Sequence, residues 1–306
     1  MVDISVLIPL YNHAHYIGEA IESVLGQSSQ ADEIIIIDDG SQDDGLAVAE
    51  KMLGNVANAR IFRQPNQGAH VTINRLVRTS RSQYLAVLNS DDQFLPGKLG
   101  RCREILSQHQ EVDLICGGVA IMDGDSKKVD RGETIDWLAR GSAFLNESQL
   151  PQLALMNENF VTTTSNMVFS RRLWDQSGGF QNLRYCHDFD FLMSAYARGV
   201  VVLDLKQDHI RYRVHPTNTI KEKIEMVRLE IASVIAASLG EVGAGILANE
   251  INAHTLDMFY RMLDNKGMSK LIVLLQAIYA QVGNRPDFYD MIAKHEYASV
   301  LRKAIA

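Results

Sequence analysis

With 306 residues, 46% of them hydrophobic and 22% charged, the chain has the balance of a soluble globular protein: one large domain, or a core domain with an attached piece. Its formal net charge of -7 argues against binding nucleic acid, which needs a basic face; an anionic ligand would be held by a cation and local amides instead. Cys102, Cys116 and Cys186 are widely spaced and form no CxxC pair, which argues against a disulfide framework or a structural zinc site and fits a reducing, cytoplasmic compartment.

The first half alternates short apolar runs with helical periods. Strands are expected at Ile4 to Ile8, Glu33 to Ile37, Ala59 to Arg63 and Tyr84 to Leu88, with helices near 15–27, 44–53, 69–80 and 97–109 between and after them. The all-isoleucine run at 34–37 suits a strand buried on both faces. The alternation predicts an α/β fold with a mostly parallel, doubly wound sheet and helices on both faces, binding ligands beyond the carboxyl ends of its strands. Further strands are expected at Val112 to Gly117, Asn166 to Phe169 and Val200 to Leu205, and a helix at Asp188 to Arg198. Residues 123–160 are polar and read as loops with a short helix.

From 218 onward the pattern is helical, with candidates at 218–239, 243–264, 268–282 and 287–304 punctuated by Gly240, Gly243, Gly267 and Pro286. This predicts a domain at 1–217, in two halves at 1–110 and 111–217, followed by a C-terminal helical extension at 218–306 that packs on the core or mediates homo-oligomerisation. The N-terminal residues, which run straight into Asp3–Val6, are not expected to act as a signal peptide. The apolar run 271–275 stops at Gln276, far short of the about 18 residues of a membrane span; a peripheral contact at the inner membrane face stays open.

The polar residues gather at the expected strand ends. Pro9, Tyr11 and Asn12 end the first strand, where an aromatic ring and an amide could meet a nucleoside. Asp38 and Asp39 end the second; buried carboxylates need partners, and either a nucleotide or the next helix could supply them. Gly68 opens a helix whose amides could face an anion. Asn89, Ser90, Asp91 and Asp92 end the fourth, where a hard cation such as Mg²⁺ or Mn²⁺ would find carboxylate oxygen. Asp188 and Asp190 open a helix but face different directions. Arg211 and Arg213 share one face of a strand that runs out at His215, and could bridge phosphates or acidic surface groups.

Taken together, Ser5–Asn12, Ile37–Ser41, Asn66–Gly68, Asn89–Asp92, Gly178–Phe180, Asp188 and Arg213–Asn218 resemble the family 2 glycosyltransferases of GT-A fold over residues 1–218. The resemblance implies that Pro9, Tyr11 and Asn12 line the nucleoside pocket, that Asp39 bonds the base with Asp38 nearby, and that Gly68, Asn89, Ser90 and Asp91 hold the donor. Asp91 would ligate Mn²⁺ or Mg²⁺ on the diphosphate, with His215 a late ligand to metal or diphosphate. Gly179, Phe180 and His187 would shape the acceptor side, and Asp188 would be the catalytic base. It also implies an inverting transfer from a nucleotide-diphosphate-sugar, a UDP-sugar first among them, to a glycan, lipid-linked or protein acceptor in polysaccharide biosynthesis. Three positions depart from the pattern: Asn89 for an aspartate, His187 for a glutamate, and Ile73 for an arginine ahead of Asn74. A nucleotidyltransferase would need a Gly- and Lys-rich loop that residues 10–15 lack, and a non-catalytic binder or scaffold would have no use for Asp188.

Overall fold

The computed structural model describes residues 2–216, 223–248 and 252–302. In chain order the elements are β1 (Ile4–Leu10), α1 (Ile17–Leu25), β2 (Glu33–Asp38), α2 (Gly45–Leu53), β3 (Ala59–Arg63), α3 (Ala69–Thr79), β4 (Tyr84–Val87), β5 (Gln93–Phe94), α4 (Lys98–Gln108), β6 (Val112–Met122), β7 (Lys128–Val129), α5 (Glu133–Ser148), α6 (Pro151–Asn157), β8 (Met167–Ser170), α7 (Arg171–Ser177), α8 (His187–Arg198), β9 (Val200–Arg213), α9 (Ile224–Ala248), α10 (Ala253–Lys266), α11 (Ser269–Val282), α12 (Arg285–Ala293) and α13 (His295–Arg302). They form two compact units. One comprises Met1–Val129, Val161–Phe180 and Arg198–Val214; the other comprises Asp130–Phe160, Gln181–Ala197 and His215–Ala306. The segment carrying α5 and α6, and most of α8, therefore group with the C-terminal helices rather than with the rest of 1–217.

The first unit is a nine-stranded sheet in the order β3-β2-β1-β4-β8-β6-β9-β5, with β7 beside β6. Strands β3, β2, β1 and β4 are parallel, as the strand–helix alternation requires. Strand β8 then enters antiparallel between β4 and β6, and β9 runs parallel to β6. The register pairs Leu10 with Asp38 and Leu7 with Val87, so β1, β2 and β4 end along one edge. Backbone bonds continue that edge: Asp39 N–H donates to Leu10, Gln64 N–H to Asp38 and Leu88 N–H to Leu7. Ile8, Leu10, Ile17, Ile21, Ile36 and Leu99 are among the residues that close the core beneath it.

Two strands outrun their sequence expectation. β6 continues past Gly117 to Met122, and β9 past Leu205 to Arg213. Both pass through polar or glycine-rich sequence because bulges at Gly117 and Gly118 absorb a register shift between them. Gly117 is there for close approach: a Cβ would lie 2.1 Å from the buried His209 ring. Asn166 completes the site by pairing its side-chain amide with both the N–H and the carbonyl of Gly117.

The second unit is helical. The expected loops at 123–160 are instead largely α5 and α6. Gly141 is a contact rather than a break, since Phe160 packs where a Cβ would point. Likewise α9 runs unbroken past Gly240 and Gly243, with the Tyr279 ring of α11 lying within 2.7 Å of where a Gly240 Cβ would stand. The expected helix at 287–304 divides at Lys294, which is extended with its N–H on the Met291 carbonyl, into α12 and α13. The start of the helix expected from 218, residues 249–251 of the next, and Thr217 and Asn218 of the sequence motif, lie outside the described residues. Among the described residues no helix is long and apolar enough to cross a membrane.

The bulge gives the first test. Gly117→Ala forces a methyl into the His209 ring and should cost about 1–3 kcal/mol, the range for overpacking a tight core. Urea denaturation should show a lower midpoint with an unchanged slope; an unchanged midpoint would mean that β6 and β9 tolerate a wider spacing here.

Candidate active site

The loops beyond β1, β2 and β4 are hydrogen-bonded to one another. After β1, Asn12 takes a left-handed conformation at φ 51°. Its N–H donates to the Ser41 hydroxyl and its side-chain oxygen accepts the Gln42 N–H. Ala14 N–H donates to Asp43. Asn12 is therefore a clamp between the first two strand-end loops. Tyr11 beside it is exposed, and Pro9 lies within β1 rather than ending it.

The two aspartates at the end of β2 are bonded internally. Asp38 accepts the Ser41 N–H and meets the Arg63 guanidinium at 3.4 Å. Asp39 accepts three donors, the Gln64 amide at 2.7 Å, Gln67 N–H at 2.9 Å and Gly68 N–H at 2.9 Å. This corrects the expectation for Gly68: its amide is not offered to a ligand, because the anion at the start of α3 is the protein's own Asp39. Gln64 extends the network to Thr72 and Arg75.

After β4 the carboxylates divide. Asp92 is buried, accepting the hydroxyls of Ser165 and Thr163 and the Arg213 N–H. Burial, with Asp91 adding repulsion, pushes its carboxyl up to about 8. Asn89 is held by Thr163, Thr164 and Ser165. An amide there donates to one hydroxyl and accepts from another, which an aspartate could not do. Ser90 is buried with its hydroxyl 2.8 Å from His13 Nδ1. Asp91 stays half-buried. His13, Asp91 and His215, the last immediately after Val214 at the end of β9, each bring a ligand atom within 4.8 Å of the others. His13 had no sequence signal as a ligand beyond its place in the loop after β1.

Two buried cations also escaped sequence reasoning. Arg213 was read as a phosphate or surface partner; instead it is buried, donating to the Asp91 carbonyl, to Glu19, to Ser126 and to the carbonyls of 123 and 124, with its guanidinium 4.5 Å over the Tyr16 ring. Lys98 is buried against the Phe94 ring and donates to the Ser165 carbonyl; burial lowers its pKa to about 8. Its signal was a lysine on the apolar stripe of α4 shared with Cys102, Ile105 and Leu106.

The Gly179–Phe180 turn is set by Asn74. Its side-chain oxygen accepts from Trp174 and the Phe180 N–H, and its amide donates to the Phe180 carbonyl. Gly179 sits at φ 77° with a Cβ position 2.6 Å from that oxygen, so glycine is required. Phe180 is a core residue stacked edge-on against Phe169, which corrects the expectation that its ring shapes an acceptor surface. Ile73, also buried, belongs to the core face of α3.

Asp188 and His187 open α8 in the second unit. Asp188 is half-buried, and burial raises its carboxyl to about 7 while its own helix amide at Phe189 opposes the shift. Burial lowers His187 to about 4, keeping it neutral.

Comparison with known proteins identifies the family and the fold type. Residues 5–177 match the glycosyl transferase family 2 profile. An uncharacterized glycosyltransferase of Rickettsia felis is 30% identical over 49% of this chain and 25% of its own length. Chondroitin synthase of Escherichia coli is 25% identical over 78% of this chain and 33% of its own. The chain thus spans about a quarter to a third of these relatives. The structure of S. aureus TarS 1-349 in complex with UDP-GlcNAc is similar with a TM-score of 0.59 at 17% identity, over 97% of this chain and 92% of that one, which fits a GT-A type fold. The family match covers more than half of the sequence, and the chain belongs to glycosyl transferase family 2.

Asp39 provides the test of the internal network. Asp39→Asn turns one acceptor oxygen into a donor facing other donors, and should cost about 1–3 kcal/mol for the buried groups left unpaired. Chemical denaturation measures this. Wild-type stability combined with lost nucleotide binding would instead place Asp39 on the base.

Proposed function

We propose that this family 2 glycosyltransferase moves a sugar, with inversion, from a nucleoside-diphosphate-sugar to a hydroxyl of a glycan, lipid-linked or protein acceptor, and works in polysaccharide synthesis. The observation that carries the reading is the division among the strand-end carboxylates. Asp38, Asp39 and Asp92 accept hydrogen bonds from within the fold, whereas Asp91 is half-buried beside two imidazoles. The solved relative that binds UDP-GlcNAc supports a uridine donor.

One carboxylate and two imidazoles make a donor set that suits Mn²⁺ better than Mg²⁺, whose shell favours oxygen throughout. With Nδ1 of His13 on Ser90, its Nε2 is the nitrogen that would ligate. A bound cation would neutralise the charge that develops on the departing diphosphate. The residues do the rest. Tyr11, exposed after β1, would lie against the base, and the backbone of 89–91, braced by Ser165 and Arg213, would fix the phosphate end. Asp188 would take the proton of the attacking hydroxyl, and a carboxyl titrating at about 7 is close to the operating pH a general base needs.

Two outcomes follow. Asp188→Asn should keep donor affinity and lose transfer by about 10²–10⁴-fold. Because only the deprotonated carboxylate can accept a proton, wild-type turnover should rise with pH through about 7 and then level. A flat pH profile with an active Asp188→Asn would remove Asp188 from the chemistry. Second, donor binding read by thermal shift should strengthen with Mn²⁺, and His13→Ala or Asp91→Asn should abolish that increment while leaving the unliganded melting temperature near wild type. An undiminished Mn²⁺ increment in both variants would place the cation elsewhere.

A further inference from the structure

We infer that Glu230, in α9, is a positioning residue for the proposed reaction: its carboxylate seats the chain segment that delivers Asp188 on α8. The inference rests on the reading of Asp188 as the base. The N–H groups of Arg184, Tyr185 and Cys186 converge on the two oxygens of Glu230 at 3.0, 2.7 and 3.0 Å. These three amides are consecutive and immediately precede His187, where α8 begins. An isolated backbone amide can turn freely; three held by one carboxylate fix the path of the chain into the helix.

The arrangement is costly in itself, which argues that it is built for something. Burial raises the Glu230 carboxyl, the three amides pull it back, and Asp188 adds repulsion. Asp188 and Asp190 already occupy the first turn of α8, where the helix dipole favours negative charge, so a third carboxylate needs its three donors to stay there. A second fastening lies two residues beyond Asp188. Asp190 accepts from Arg285 and, at 2.5 Å, from the Tyr289 hydroxyl, both on α12. Arg285 also reaches Ser238 and Glu241 of α9, and the Tyr279 hydroxyl of α11 donates to Glu241 at 2.6 Å. Helix α8 is thus held on both sides of Asp188 by α9 and α12, which lie beyond the region matched by the family profile. A displacement of about 1 Å at a reacting group can cost on the order of 10²-fold in rate, so a seat of this kind acts on turnover without touching the donor.

The test uses the full chain with UDP-N-acetylglucosamine and Mn²⁺, measuring UDP release for turnover and calorimetry for donor Kd. Glu230→Gln should lower turnover by about ten- to a hundredfold with donor Kd within about twofold of wild type, and Glu230→Asp should recover part of the loss. Tyr289→Phe, which removes one bond to Asp190 and the long one that its hydroxyl accepts from Arg285, should give a smaller loss of the same kind and carries the test if Glu230→Gln does not fold. Wild-type turnover in the folded variants, or a loss matched by an equal loss of donor affinity, overturns the inference. Asp188→Asn in the same assay separates the two readings. If it is inactive while Glu230→Gln is fully active, only the positioning role falls; if it is active, the base assignment itself falls.

Discussion

Arg213 carries five guanidinium N–H donors into the interior, and a buried charge without partners would cost several kcal/mol. Its acceptors come from elements far apart in sequence: Glu19 on α1, the Asp91 carbonyl after β4, and the turn at 123–126 between β6 and β7. Its backbone N–H reaches Asp92 as well. Burial alone would raise the Glu19 carboxyl, but bonds from Ser126, Arg213 and Gln93 leave it below its ordinary value, so the charge pair persists. The backbone at Asp91 is fixed by this one side chain, whose Nε–H donates to the Asp91 carbonyl at 2.7 Å.

The same logic sorts the acidic residues of the sheet edge. A carboxylate that accepts several N–H or hydroxyl donors within the fold has little capacity left for a ligand. Asp39, with three donors, fastens the loop before α3 to the end of β2, and Asp92 fastens β4 to the 163–165 segment and to β9. These bonds tie the strand-end loops to the elements beside them.

In the second unit the equivalent constraint is the polar cluster around Asp190 and Glu230. Buried polar networks are stable only when every member is satisfied, and here each carboxylate meets an amide, a guanidinium or a phenol. The helices after 223 therefore do more than cover a surface; they define where α8 starts.

Sequence alone determined the parallel half of the sheet, its helices and the polar strand ends, because those depend on short-range periodicity and on where apolar runs stop. It also singled out Asp91, Asp188 and His215 through an ordered set of motifs. What it could not decide was the office of each polar residue. Asp38 and Asp39, or Asp91 and Asp92, are chemically identical neighbours, and only donors brought in from residues 41, 63–68, 163–165 and 213 decide which partners Asp38, Asp39 and Asp92 take within the fold. The same holds for Gly117 at the end of an expected strand, Gly141 within the expected loops and Gly240, which reads as a helix break: they serve close packing against His209, Phe160 and Tyr279. Burial of Lys98 and Arg213 likewise arises from partners distant in the chain, and long-range pairing leaves no periodic trace in a single sequence.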